Sequence, residues 1–135
     1  MLIISATGST NVYVTLYENC QNIYNPYFTW VINRKGSNDT VYFTNDDLSY
    51  APYYWNEFQI TPATNSNYGL TQGIIPLIPG EYVYNIWETT DQYDLNLTTG
   101  VGIVETGILI YDGIPSVTPD FTLNNNQVIP VFKPN

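Results

Sequence analysis

The chain has 135 residues and a mass of 15.3 kDa, enough for one folded unit with a real core and too little for two ordinary domains. Twelve acids stand against three bases, Arg34, Lys35 and Lys133, for a net charge of −9. That balance excludes a nucleic-acid partner, which needs cations to displace counterions from phosphate, and it would be repelled by an anionic membrane. Histidine is absent and cysteine occurs once, so a Cys–His dyad, a zinc centre and an internal disulfide are excluded, and no cofactor is expected.

The start, Met1 to Thr10, carries a short apolar run without a basic flank or a long hydrophobic stretch, so it does not read as a signal peptide. No segment approaches the roughly 20 apolar residues of a membrane helix. From there the hydrophobic period is two. Val12, Val14 and Leu16 alternate with Tyr13, Thr15 and Tyr17, and Tyr27 to Asn33 sets Phe28, Trp30 and Ile32 on one face. The turn formers Asn33 to Asp39 lead into Thr40 to Thr44 and predict a hairpin. Thr44 to Ser49 offers capping oxygens followed by Asp46 and Asp47, which predicts a single helical turn ended by Pro52.

Tyr53 to Thr61 reads as a long strand with Tyr54, Phe58 and Ile60 inward and Tyr53, Trp55, Glu57 and Gln59 outward. Leu70 to Leu77 contains Gly73 and Pro76, which places it at a sheet edge. Pro79-Gly80 turns into Glu81 to Glu88, with Tyr82, Tyr84 and Ile86 sharing a face. Asp91 to Gly100 is a polar loop. Val101 to Tyr111 is the last strand, with Val104, Ile108 and Ile110 inward and Ile103, Glu105 and Leu109 on the other side.

Short strands, evenly spaced turns and no amphipathic helix predict an all-β fold, an antiparallel β-sandwich. Trp30 in the middle of an early strand, and Gly80-Glu81-Tyr82 opening a late one as a tyrosine corner does, favour an immunoglobulin-like form, with a jelly roll second. The sandwich is assigned to residues 1–111. Residues 112–135 form an extended C-terminal tail of breakers, the linker Asn124-Asn125-Asn126 and the strand-like run Gln127 to Phe132. The tail is too short for its own core, so it either folds back on the sandwich edge or adds a strand to a neighbouring subunit.

Carboxylates are the plentiful reactive groups. Glu57, Glu81, Glu88 and Glu105 lie on different strands with nothing marking a cleft, so solvated strand faces are expected rather than a glycosidase pair. Asp91, Asp94 and Asn96, or Asp46 and Asp47, could supply oxygens to calcium, but neither segment has the alternating Asp-x-Asp-x-Asp-Gly loop. The sharpest surface feature is Tyr53-Tyr54-Trp55. Large rigid rings with a polar handle mark protein interfaces and also stack sugars, so Tyr53 and Trp55 are candidate contacts for a protein partner or a glycan. Val128, Ile129, Val131 and Phe132 in the tail are the other candidate interface residues.

Several strings point further: Leu16-Tyr17-Glu18-Asn19, Asn25-Pro26-Tyr27-Phe28-Thr29-Trp30, Phe43 to Pro52 leading to Asn56-Glu57-Phe58, Gly69 to Gly73, Gly80 to Glu88 and Gly102 to Gly107. Together they cover most of residues 12–111, and in them the chain resembles small virion proteins of tailed bacteriophages, notably crAss-like and marine podovirus-type phages. The resemblance implies a non-catalytic auxiliary or decoration protein, a β-sandwich bound in many copies to the capsid after assembly in the bacterial host cytoplasm. Its expected partners are the major capsid protein and neighbouring copies of itself. No site residues carry over with the resemblance. The charge of −9 then favours the outer surface of a DNA-filled shell over its lumen. A carbohydrate-binding module engaging host or mucus glycans through Tyr53 and Trp55 is the alternative.

Overall fold

The computed structural model describes residues 1–22, 24, 26–63 and 68–113. Its strands in chain order are β1 (Leu2–Ile4), β2 (Thr10–Val14), β3 (Tyr27–Arg34), β4 (Thr40–Thr44), β5 (Asn56–Pro62), β6 (Ile74–Ile75), β7 (Gly80–Thr89) and β8 (Gly100–Tyr111). One sheet has the order β1-β8-β7-β3-β4 and the other β2-β5-β6. The chain is all-β, as expected, with one 3-10 turn at Tyr17–Asn19 and no α-helix among the described residues. The interface residues expected in the tail, Val128, Ile129, Val131 and Phe132, lie outside the described residues.

The period-two pattern does its work on β3 and β7. Phe28, Trp30 and Ile32 pair across the sheet with Glu88, Ile86 and Tyr84, and five of these six fill the core while Glu88 sits at its margin. The second sheet supplies Val12, Val14, Phe58 and Ile60 to the same core. Trp30 is its centre: its ring stacks on Phe43 at 5.5 Å, meets Phe58 edge-on at 5.6 Å and leans on Tyr84 at 5.4 Å. Burying each such side chain stabilises the fold by about 1.5–3 kcal/mol. Gly107 faces Tyr84 across the β7–β8 ladder, and the ring lies over it so closely that a Cβ there would stand 2.7–2.8 Å from its atoms. At the entrance to β7 the Tyr82 hydroxyl accepts the Ile78 N–H at 2.9 Å and donates to the Ile78 carbonyl at 3.0 Å.

Five expectations are corrected. The sheets are not purely antiparallel, because β1 joins β8 in parallel and β6 joins β5 in parallel, each as a short edge strand. No helical turn forms at Thr44 to Ser49. There the Asp47 carboxylate accepts the N–H groups of both Ser49 and Glu57, at 3.0 and 3.1 Å, so the side chain that would cap a helix ties the loop to β5 instead. The strand expected from Tyr53 begins only at Asn56, and Tyr54, expected inward, is 78% exposed.

On β8 Val104 is buried as expected, but beyond it the inward set is Glu105, Gly107 and Leu109 opposite Ile86, Tyr84 and Tyr82, not Ile108 and Ile110. Opposite Ile86 and Trp87 an extra residue, Val104, enters β8 as a bulge, so the inward parity differs on its two sides, and a second shift follows between Glu88 and Thr89. Glu88, expected on a solvated face, is 1% exposed. Its two oxygens accept the N–H groups of Gln21 and Asn22 at 2.8 and 2.9 Å, which closes the segment after the 3-10 turn onto the end of β7.

Candidate functional site

The loop between β4 and β5 is built from its polar residues outward. Asn56 is fully buried, donates its amide to Asp47 at 2.6 Å and accepts the Leu16 N–H at 2.9 Å. The Leu48 N–H bonds the Glu57 carbonyl at 2.8 Å. The N–H groups of Tyr54 and Trp55 both reach the Ala51 carbonyl, at 2.8 and 3.1 Å, closing a tight turn. With its backbone satisfied in this way, the turn directs rings into solvent. Tyr50 is 94% exposed, Tyr54 78% and Tyr53 60%, with Leu48 half exposed beside them in sequence.

Tyr53 therefore stands where its alternation placed it, facing outward, with one edge supported by Tyr17 at 5.3 Å. Burial first, and then the charge of Asp47, raises the Tyr17 phenol pKa, so this support stays neutral. Trp55 is half-buried rather than freely outward. Tyr50 and Tyr54 are the residues that the sequence reading missed. The signal available for them was turn chemistry, since Ser49 and Pro52 make a turn the better reading of this stretch than the start of a strand.

A second polar surface lies on the outer face of β2 and β5. The Asn11 amide donates to Glu57 at 2.7 Å, and the exposed Tyr13 hydroxyl reaches the same oxygen at 3.4 Å. The remaining carboxylates are committed elsewhere: Glu81 meets Lys35 at 2.5 Å, Glu88 holds Gln21 and Asn22, and Glu105 accepts the Tyr84 hydroxyl at 3.1 Å. Burial, reinforced by Glu105, pushes that phenol up to about 12. No two of these four acids share a partner in the described structure.

Asp94 organises the loop between β7 and β8. Its Oδ2 accepts the backbone N–H and the hydroxyl of Thr99, both at 2.6 Å, and its Oδ1 accepts both donors of Thr98 at 3.2 Å. The Thr99 hydroxyl, with the backbone donors, holds the carboxyl down at about 2. Its lone pairs are thus turned toward its own loop. Among the described residues, no group of three or more acids or cysteines is placed to hold a metal ion.

Comparison of the chain with family models, with curated proteins and with solved structures finds no match in any of the three.

Proposed function

We propose that the chain is a non-catalytic bacteriophage virion protein, an auxiliary or decoration subunit attached in many copies to the outer capsid shell. The observation that carries this reading is the ridge Tyr50, Tyr53 and Tyr54, an exposed set of aromatic rings on a turn held by the bond between Asp47 and the buried Asn56. Rigid rings bring contact area at little entropic cost, which is what an interface needs and a solvated loop does not. Scarce charge, 11% against about 25% in an average soluble domain, suits a surface packed against neighbours. Many copies on a lattice make weak individual contacts sufficient.

The architecture in this reading is an immunoglobulin-like sandwich. Its support is Trp30 buried in β3, the Tyr82 hydroxyl reaching back four residues at the start of β7, and the β8-β7-β3 order of the larger sheet. A map of intact particles tests the function. It is expected to place the protein on the outer surface with Tyr53 and Tyr54 against another chain, and Tyr54→Ala is expected to cut its copies per particle at least about tenfold. A lumenal position, or absence from particles, refutes it. The rival glycan reading is less favoured because Trp55, its better stacking ring, is half-buried. Binding on a glycan array that Tyr53→Ala abolishes would establish the rival instead.

A further inference from the structure

The larger sheet has an open side. β4 is its edge strand, and the Thr44 N–H at one end is taken by the Leu70 carbonyl at 2.8 Å, which leaves the Thr40 to Tyr42 stretch without a neighbouring strand among the described residues. Beside that stretch runs a groove of about 660 Å³. Thr40 and Val41 of β4 line it together with Tyr68, Leu77, Ile78 and Tyr82. Ile78 and Tyr68 are each 52% exposed, so a groove of mixed polar and apolar lining adjoins an unpaired strand edge, and strand addition uses such an edge with pockets for alternate side chains.

The chain leaves β8 at the rim of this groove. A Cβ on Gly113 would stand 2.4 Å from the Pro79 ring, so the exit lies beside the residue that follows Ile78. The apolar run Gln127 to Phe132 comes only after thirteen further residues, 114 to 126. Fully extended, such a linker spans about 43–47 Å. A 113-residue domain is roughly 34 Å across, from a radius of gyration near 13 Å. A run meant for the groove beside its own exit would need only a short connection, whereas this linker reaches one domain diameter away.

We propose that the groove beside β4 takes residues 127–132 of a second copy as an added strand, linking neighbouring copies tail to edge. The run has the composition for it: Val128, Ile129, Val131 and Phe132 supply apolar side chains, and Pro130, which lacks an N–H, is tolerated in an edge strand. The contact is heterologous, tail into groove, and so propagates across a lattice of copies. It rests on the multicopy virion reading, which supplies the neighbours.

The test uses full-length chains carrying Cys20→Ser. One bears Tyr42→Cys; the other bears a single cysteine at 128, 129, 131 or 132 in turn, and the two are mixed at millimolar concentration under mild oxidation. At least one pair is expected to form the mixed disulfide about tenfold above a control pair using Ile103→Cys, and Phe132→Asp is expected to weaken self-association in sedimentation velocity. Yields equal to the control for every pair overturn the proposal. So does a chain bearing both cysteines that closes on itself as a monomer, which would put the tail in its own groove. If the cross-link fails while particle maps still show the protein on the shell, the docking falls and the virion reading stands.

Discussion

Replacing Gly107 by alanine tests the packing at the centre of the fold. The new methyl would stand 2.7 Å from the Tyr84 hydroxyl oxygen and 2.8 Å from two ring carbons, against the 3.5–4.0 Å of an ordinary contact. The ring must retreat by nearly an ångström. Tyr84 is 3% exposed and its ring leans on Trp30 at 5.4 Å, itself stacked on Phe43, so the ring moves only against packed neighbours. Overpacking of this kind costs about 1–3 kcal/mol, and moving the ring also strains the Tyr84–Glu105 hydrogen bond, worth about 1 kcal/mol more. A loss of about 2–4 kcal/mol in urea unfolding is expected, with a fall in Tm of roughly 4 °C per kcal/mol. Gly102→Ala is the internal control, because it lies on the same strand and its Cβ would meet nothing within 4 Å. Its effect is expected within about 0.5 kcal/mol of zero. Combining Gly107→Ala with Tyr84→Leu should cost less than the sum of the two. If Gly107→Ala loses no more than Gly102→Ala, the described packing of Tyr84 is wrong.

The pH dependence follows from Asp94, whose carboxyl is held at about 2 in the fold against 3.8 ordinarily. Its contribution is present above about pH 4 and lost as pH falls toward 2, so Asp94→Asn should flatten that part of the acid unfolding profile and cost about 1–3 kcal/mol at pH 7 in urea melts. An unchanged acid limb would refute the role given to this loop. Cys20 is pushed up to about 12, by burial first and by the nearby Glu88 second. Its alkylation at pH 8 should be at least about tenfold slower in the folded protein than in urea, read by mass spectrometry, and equal rates would contradict its placement.

What was legible in the sequence was what period-two alternation can carry. Phe28, Trp30 and Ile32, and likewise Tyr82, Tyr84 and Ile86, lie on continuous strands where one face is buried, so a one-residue error would have put all three in water. On β8 alternation held for Ile103 and Val104 and failed beyond them, because the bulge at Val104 shifts parity without changing composition, and Leu109 and Ile110 are equally apolar. Glu88 was misread for a different reason. Its burial depends on two N–H groups more than sixty residues away, at Gln21 and Asn22, and no local pattern announces a distant donor. The ridge was half legible: Tyr53 was found by its neighbours in sequence, while Tyr54 was assigned inward because a strand was carried into what is a turn.

The pairing of β1 with β8 also sets a timetable. Leu2 lies opposite Leu109 and Ile4 opposite Tyr111, so β1, made before every other described strand, docks only when the last described strand exists. β3 and β4 can form a hairpin as they emerge and β7 can join them, but until β8 arrives Ile4 has no partner strand and the outer side of β7 stays open. Such long sequence separations slow folding, because loop closure is unfavourable until the contact forms. The chain therefore grows with an unfinished sheet edge exposed, and synthesis of β8 is the event that lets the larger sheet close.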